Sequence, residues 1–564
     1  MCGLIGLSGN FNKKLLFSMI ESTKHRGMDS SGYFLFNREN DESDYQNNIP
    51  EVFTSDYGAN SDEESCFNIG LGHNLLSIFN LINENNEIYD NLEENRQPII
   101  TDNLVFIFNG EIYNFKRLED YLRDHNENYV KSKSDSQLLA NLVKYHYDNY
   151  MNDDKFNDDY LFESVKRVIS HLDGDYSFAV YDKEHDNLAL CRDSIGVKPL
   201  FYGINDNLKG FASEKKALWK VGFSDSDIKD LKPGSILYNW EEKDLDDDLI
   251  NRIIATDFKA LRSNYSDYRK YLKTKDSYDI YRELLADDIY GSVEKRVENI
   301  TDVGLIFSGG VDSTILAVIL KEISKKRQNK INNGENIKPL NIKLYSVGIE
   351  NSQDIKFSEK IADDLGLELK TVIIDKNTVR DSVKDVLTAI EDANIMKLGV
   401  GMTIYLATKA IHEDGIKVAL SGQGADELFG GYNRYLKHFD NNTLFDAYFD
   451  LDEEIYHDIA NIYHVNLERD DAVSMANGVE LRVPFMDKSI INLALDIPAS
   501  FKIKNGEDLL RKHILRDVAK DIGVPDYIAE RPKKAAQYGS GINKILKKKV
   551  LKDFDMEGFL ESLK

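Results

Sequence analysis

The sequence predicts an α+β half followed by an α/β half built on a parallel sheet, and three features carry that prediction. As far as about Trp240, short apolar runs alternate with polar residues and are broken by glycine, aspartate and asparagine, the period-two pattern of antiparallel strands. From about Asp276, apolar runs alternate with amphipathic stretches in the order strand, helix, strand. Two glycine-rich loops, SGGVDST and SGQGADELFGG, stand at the ends of two of these later runs.

In the first half, NLVFIFNGEIYN and DGDYSFAVYDKEHDNLALCRD both read as strand, turn, strand, and SDSQLLANLVKYHY as a helix. The polar stretch FNRENDESDYQNNIPEVFTSDYGANSDEESCFN predicts a long surface loop between strands. The acidic, irregular run after LKPGSILYNWEEKDLDDD places a linker at 241–275, between domains at 1–240 and 276–564. In the second half DVGLIFS leads into a helix near STILAVILKEISKK, IKLYSVGI into DIKFSEKIADDLG, LELKTVII into TVRDSVKDVLTAIEDA, and IKVALS into ADELFGGY. A parallel sheet of this kind is covered on both faces and takes its ligand outside the carboxyl ends of its strands.

At 564 residues the chain exceeds what one hydrophobic core supports, and 42% hydrophobic residues suffice for folded domains. Lys plus Arg number 71 against 97 Asp plus Glu, a net charge of −26 that repels phosphate backbones and anionic lipid. Neither nucleic acid nor a membrane is therefore expected as a partner. INKILKKKVLKDF, the nearest approach to a basic cluster, reads as the solvated face of a helix. Three cysteines, Cys2, Cys66 and Cys191, imply no disulfide framework and suit a reducing cytoplasm. No run approaches the roughly 18 apolar residues of a membrane span, and no charged stretch precedes a long apolar one as in a secretory signal.

Cys2 directly follows the initiator. Once methionine is removed, its own α-amine can serve as general base toward its thiol, giving one residue both roles. The bland alternative is a small apolar residue opening a buried strand, and MCGLIG alone does not choose between them. Asn109 and Gly110 in FNGEIYN, placed at a strand-to-turn junction, can supply a side-chain amide and a backbone N–H to a developing oxyanion. With HRGMDSSG, SDSQLL, LDGDYSFAVYD and RDSIGVKPLFYG, the first 220 or so residues resemble the N-terminal-nucleophile glutamine amidotransferase domain. The resemblance implies an αββα sandwich that hydrolyses glutamine through a thioester and releases ammonia. It implies Cys2 as nucleophile, Arg26 as a structural partner of the substrate site, Asn109 and Gly110 as oxyanion hole, and Glu111 and Asp135 holding the glutamine amine. The resemblance also implies that Leu75 and Ser77, in GHNLLSIF, face glutamine. There the family usually has arginine in place of Leu75 to pair with the glutamine carboxylate, and Arg96 or Lys133 would have to substitute. Met28 replaces the usual proline.

Ser308, Gly309, Gly310, Val311, Asp312 and Ser313 form a loop between an apolar strand and a helix. Its glycines let backbone approach a ligand, and free N–H groups at a helix start suit an anion. Asp312 repels phosphate unless Mg²⁺ lies between them, which points to a metal-nucleotide site. The loop lacks the lysine of a γ-phosphate-cleaving P-loop, and in SGQGADELFGG Glu427 stands where a dinucleotide fingerprint needs its third glycine. SGGVDS resembles the pyrophosphate loop of the ATP pyrophosphatases. With SGQGADELFGGY, NLERDDAVSMANGVELRVPFMD and KKAAQYGSGI, residues 276 to 545 look like the synthetase domain of the asparagine synthetases, closest to archaeal-type members.

That resemblance implies Asp312 and Asp426 as Mg²⁺-pyrophosphate ligands and an adenosine site at Ile306, Val347, Ser421 and Gly422, with Ser308, Gly309, Gly310 and Ser313 around the phosphates. It implies Lys533, with Lys534 beside it, neutralising the leaving pyrophosphate, and Arg482 tying neighbouring loops together. Gln423 holds the position of a glutamate that bacterial and animal relatives use in forming or aminating the adenylate. Glutamine orients by hydrogen bonds but takes no proton, so Glu427, a phosphate oxygen or water would have to. The expected reaction joins the halves: glutamine, aspartate and ATP give glutamate, asparagine, AMP and pyrophosphate, with ammonia confined in a tunnel between the sites. Members of the family often form homodimers. The rivals are an amidotransferase of another carboxylate, an enzyme using free ammonia, and a catalytically decayed ATP or glutamine sensor.

Overall fold

The computed structural model describes residues 2–39, 42–46, 66–78, 80–82, 88–90, 95–152, 159–245, 249–256, 258, 275–440, 442–532 and 541–564. The chain divides into two compact units, Met1–Asp248 with Gly558–Lys564, and Leu249–Glu557.

The first unit contains two large antiparallel sheets and a small one of two strands, Asn80–Ile82 with Ile88–Asp90. One orders its seven strands Ile228–Asp230, Phe201–Ile204, Leu208–Ala212, Gly3–Asn12, Cys66–Leu75, Ser30–Asn37, Glu42–Gln46. The other orders six strands Glu241–Asp244, Ser235–Tyr238, Asn187–Arg192, Gly174–Asp182, Leu104–Ile112, Ile99–Ile100. Alternation along each strand sends neighbours to opposite faces. Leu4 accordingly joins Phe34, Leu71, Ile107 and Tyr181 in a core between the sheets. Ile5 joins Leu16, Met19 and Ile20 of the helix Lys13–Ser22 on the far side. The outer face of the six-stranded sheet is covered in the same way by Leu118, Leu138, Leu139 and Val165 from the helices Phe115–His125, Asp135–Met151 and Tyr160–Ile169. The layers are helix, sheet, sheet, helix, as the resemblance implies. Each fully buried Leu or Ile contributes about 1.5–3 kcal/mol.

Two local expectations are corrected. NLVFIFNGEIYN is not strand, turn, strand: Leu104–Ile112 runs unbroken against Gly174–Asp182, with Asn109 opposite Ser177 and Gly110 opposite Tyr176. Asparagine and glycine resemble a turn in sequence, but here Gly110 stays in the ladder because any side chain would collide with the partner strand, a Cβ falling 2.3 Å from the Asp175 carbonyl oxygen. The polar stretch starting at Phe36 contains a strand, Glu42–Gln46, pairing with Tyr33–Asn37 as a hairpin. One source of its hold is the Lys13 ammonium, 2.8 Å from the Tyr33 hydroxyl and 2.5 Å from Asp44.

The second unit is built on five parallel strands ordered Glu368–Ile373, Asn341–Gly348, Asp302–Ile306, Val418–Leu420, Glu480–Arg482. The expected strands and helices are present, and Glu480–Arg482 adds an edge strand. Val311–Asn332, Gln353–Leu365, Lys376–Ile390 and Ile395–Glu413 are the long helices that connect them. Local chemistry sets their ends: Ser352 and Asp375 accept N-terminal N–H groups, and Gly366 closes a helix in the left-handed conformation at φ +61°. Asp302–Ile306 pairs with Asn341–Gly348 over five residues but with Val418–Leu420 over only two, Gly304 with Ala419 and Leu305 with Leu420. Among the described residues no helix is long and apolar enough to cross a membrane.

Candidate active sites

In the first unit, Cys2 immediately precedes Gly3–Asn12, the central strand of the seven-stranded sheet, and is buried. Its N–H donates to the Asn109 side-chain oxygen at 2.8 Å. The other end of that amide, Nδ2, is buried with no hydrogen-bond partner among the described residues. An unsatisfied buried donor on the side chain that holds Cys2 is costly in a resting protein and is what a developing oxyanion requires. Arg26, fully buried, donates through Nε to the Cys2 carbonyl at 3.1 Å and through Nη1 to Glu214 at 2.9 Å. Lys216 Nζ lies 2.5 Å and His25 Nε2 3.0 Å from the same carboxylate. Burial alone would raise the Glu214 carboxyl, but the surrounding cations outweigh it and hold it well below the usual range. Ser213 fastens the stretch, its hydroxyl accepting from Leu4 N and its N–H donating to Leu4 O, both at 2.9 Å.

The structure thus brings Cys2, Asn109 and Arg26 together, and Glu214, missed in the sequence, completes the set. Glu111 shares the strand with Asn109 and Gly110 and is also buried. Asp135 is the first residue of the helix Asp135–Met151, beneath the Ser134 cap. Leu75 is buried at a strand end, its carbonyl accepting from Asp29 N at 3.0 Å, and Ser77 N donates to the Asp29 carboxylate at 2.7 Å. Arg96 is half-buried and Lys133 exposed.

In the second unit, a cavity of about 160 Å³ opens at the carboxyl ends of the strands. Of the expected nucleotide residues, Ile306, Ser308, Asp312, Ser313, Val347, Ser421 and Gly422 line it, as do Gln423 and Asp426. Gly309 and Gly310 are not among the lining residues. Gly309 makes the turn at φ +63°, packed on Ser358, and Gly310 caps the helix Val311–Asn332. Arg531 secures the turn from behind, donating to the Gly309 carbonyl at 3.1 Å and to Asp354 at 2.8 Å. Lys533 and Lys534 lie outside the described residues.

Asp312 and Asp426 meet around one cation, the fully buried Lys512, whose Nζ is 2.8 Å from the first and 2.6 Å from the second. Gly431 makes room for this trio, since a Cβ there would lie 1.8 Å from Asp426 Oδ1 and 2.3 Å from Lys512 Cε. Next to Asp426, Glu427 is buried and also lines the cavity. Its Oε1 accepts from the Tyr432 hydroxyl at 2.5 Å and from Asn466 Nδ2 at 2.6 Å. Burial first, then the Asp426 charge, push its carboxyl up to about 7. Arg482 pairs with Glu480 of its own strand at 2.7 Å and donates to the Arg296 carbonyl near the end of the helix Lys275–Val297.

One chain therefore carries a buried cysteine whose N–H rests on an asparagine amide with no partner for its Nδ2 among the described residues and, in its other unit, a parallel-sheet cavity with two aspartates converging on a cation. These two sites and folds define a glutamine amidotransferase fused to an ATP-dependent ligase. Comparison with known proteins agrees: residues 84–220 match the glutamine amidotransferase domain family, and 284–449 and 438–558 the asparagine synthase family. Over 613 aligned residues the chain is 36% identical to "Putative asparagine synthetase (glutamine-hydrolyzing) 1" of Methanocaldococcus jannaschii, covering 100% of this chain and 99% of that one. It is 28% identical to the Escherichia coli protein "Asparagine synthetase B (glutamine-hydrolyzing)", over 78% of this chain and 70% of that one. A Schizosaccharomyces pombe protein, "Probable asparagine synthetase (glutamine-hydrolyzing)", is also 28% identical, over 78% and 72%. The chain belongs to the glutamine-hydrolysing asparagine synthetase family.

Proposed function

We propose that the protein makes asparagine from aspartate, with Cys2 as the glutaminase nucleophile and the 160 Å³ cavity as the adenylation site. The convergence of Asp312 and Asp426 on one ammonium at that cavity carries the reading. The freed Cys2 α-amine takes the thiol proton, sulfur adds to the glutamine side-chain carbonyl, and the oxyanion meets Asn109 Nδ2 and the Gly110 N–H. Ammonia leaves, and water releases glutamate from the thioester. Glu111 and Asp135 hold the glutamine amine.

In the second unit the aspartate β-carboxylate attacks the α-phosphorus of ATP, and the bond to the bridging oxygen of pyrophosphate breaks. Backbone at Ile306, Val347, Ser421 and Gly422 holds adenosine, and the loop Ser308–Ser313 holds phosphate. The chemistry of two carboxylates gathered on one cation fits Mg²⁺, which Asp312 and Asp426 would hold and which would neutralise the leaving pyrophosphate. Lys512 and Lys533 add positive charge to that end, and Gln423 orients the acyl group by hydrogen bonding. Ammonia then adds to the acyl carbon, AMP leaves with the bonding electrons, and a phosphate oxygen takes the proton that the nitrogen loses. Sparse cysteine supports a cytoplasmic setting, and the family resemblance supports a homodimer.

Aspartate, ATP, Mg²⁺ and amide-¹⁵N glutamine should yield ¹⁵N-asparagine, AMP and pyrophosphate by mass spectrometry. Cys2→Ala should lose this while still using ammonia. ADP and orthophosphate as products would overturn the reading. Leu75 favours one variant of it, in which free ammonia is the better donor, because an uncharged buried side chain offers the glutamine carboxylate no partner. Comparing the two donors decides.

A further inference from the structure

Glu427 is a buried carboxylate held on one side only. Oε1 has two donors, whereas Oε2 is buried with no hydrogen-bond partner among the described residues, on a side chain that lines the cavity. The orientation of this carboxylate is fixed in depth. Asn466 offers its Nδ2 because Arg469 Nη1 donates to its Oδ1 at 3.2 Å, so the amide cannot flip without losing both contacts. Arg469 is itself held by Asp470, 2.7 Å from Nε, with both residues buried. Asn466 sits in a π-helical segment, Tyr463–Leu467, inserted between the helices Leu444–Ile462 and Glu468–Met475. Such insertions are rare and concentrate at functional sites.

A fixed buried acceptor on a side chain that lines a cavity calls for a donor, and a charged one calls for a cation. The triphosphate, pyrophosphate and both carboxylates of aspartate present only acceptors. Ribose and adenine present neutral donors and belong at the Ile306 and Val347 end. Mg²⁺ is assigned above to Asp312 and Asp426, and ammonia has to stand at the acyl carbon, so the group of the acceptor substrate left for Glu427 is its α-ammonium. Building on the reading above, we propose that Glu427 Oε2 receives the α-ammonium group of aspartate, which makes it the residue that selects an α-amino acid over a plain dicarboxylic acid. Tyr432, Asn466, Arg469 and Asp470 are positioning residues behind it, and Asp426 and Lys512 are the charges beside it.

Succinate is aspartate without the amine, so it separates this contact from everything else at the site. With ammonia as nitrogen donor, pyrophosphate release by the full chain is measured with each acid, ATP and Mg²⁺. The wild type should prefer aspartate by about 100-fold in kcat/KM, the range of one charge-assisted buried contact. In Glu427→Gln the preference should fall to within a few fold through a higher KM for aspartate, while the KM for ATP stays unchanged. If the wild type uses succinate as well as aspartate, the proposal is overturned without any variant. An unchanged ratio in Glu427→Gln, or a raised Mg²⁺ requirement with that ratio intact, overturns it too and leaves asparagine synthesis standing. No pyrophosphate release with aspartate in the wild type sinks both readings together.

Discussion

Asn109 separates the two halves of the glutaminase argument. Its Oδ1 holds the Cys2 N–H at 2.8 Å, while its Nδ2 is the buried donor without a partner among the described residues. Asn109→Asp keeps an acceptor for Cys2 and deletes the donor; Asn109→Ala deletes both. Loss of one preorganised oxyanion donor lowers kcat by about 10²–10³, or ~3–4 kcal/mol of barrier. The lost bond to Cys2 N contributes roughly 1 kcal/mol more, a further factor of about five. Asn109→Asp should therefore release glutamate about 10²–10³ times more slowly than the wild type, and Asn109→Ala several times more slowly again. Ammonia-dependent pyrophosphate release, which belongs to the other unit, should be untouched and doubles as the check on folding. If Asn109→Asp keeps its glutaminase rate within about threefold, Nδ2 is not an oxyanion donor and the geometry at Cys2 has been misread.

Lys512→Met leaves two aspartates facing each other without their cation, a loss of about 3 kcal/mol in local stability. Hydrogen exchange over 421–431 should rise and pyrophosphate release fall by about 10² or more, with added Mg²⁺ protecting the variant more than the wild type. Gly431→Ala drives a methyl into Asp426 and Lys512, and should abolish ATP cleavage while glutamine hydrolysis continues. His73 is fully buried, with Nε2 3.0 Å from the Phe108 carbonyl, and burial pushes its pKa down to about 3. From pH 6.5 down to about 3 the unfolded chain takes a proton that the native state refuses, so stability falls with pH by about 1.4 kcal/mol per unit. His73→Gln should flatten that slope between about pH 6 and 4. Trp219 and Trp240, the chain's only tryptophans, both belong to the first unit, so urea unfolding followed by their fluorescence reads it directly.

What could be read in the sequence was whatever is local. Period-two runs, the strand-to-helix glycine loops and the caps at Ser352 and Asp375 are written within a few residues, and the sandwich and the parallel sheet follow from them. Cys2, Asn109 and Arg26 were reached through their surrounding motifs, and the structure joins them by hydrogen bonds. The misses are long-range. Lys512 lies in DLLRKHILRD, where a basic residue looks like the solvated side of a helix, and its partners stand in the first turns of two distant helices. Glu214 looks like one charge in SEKKALWK, yet it meets Arg26 in a dry interior. Asn466 reads as an ordinary polar position, because a π-helical turn has no sequence signature to give it away. Gly110 misled for the opposite reason: asparagine-glycine is a strong local turn signal, and it was overruled by a neighbouring strand.

The sheet of the second unit is weakest where its nucleotide loops begin. Only two residue pairs join the strand Asp302–Ile306 to Val418–Leu420, and the chain travels more than a hundred residues between them. From that fork the polypeptide runs off toward opposite edges, so SGGVDST and SGQGADELFGG belong to separate wings. A nucleotide gripped by both loops therefore acts as a rivet across a thin seam. At a hundred times its dissociation constant it lends about 2.7 kcal/mol to the closed arrangement, and the wings should start to part earlier on heating when it is washed away.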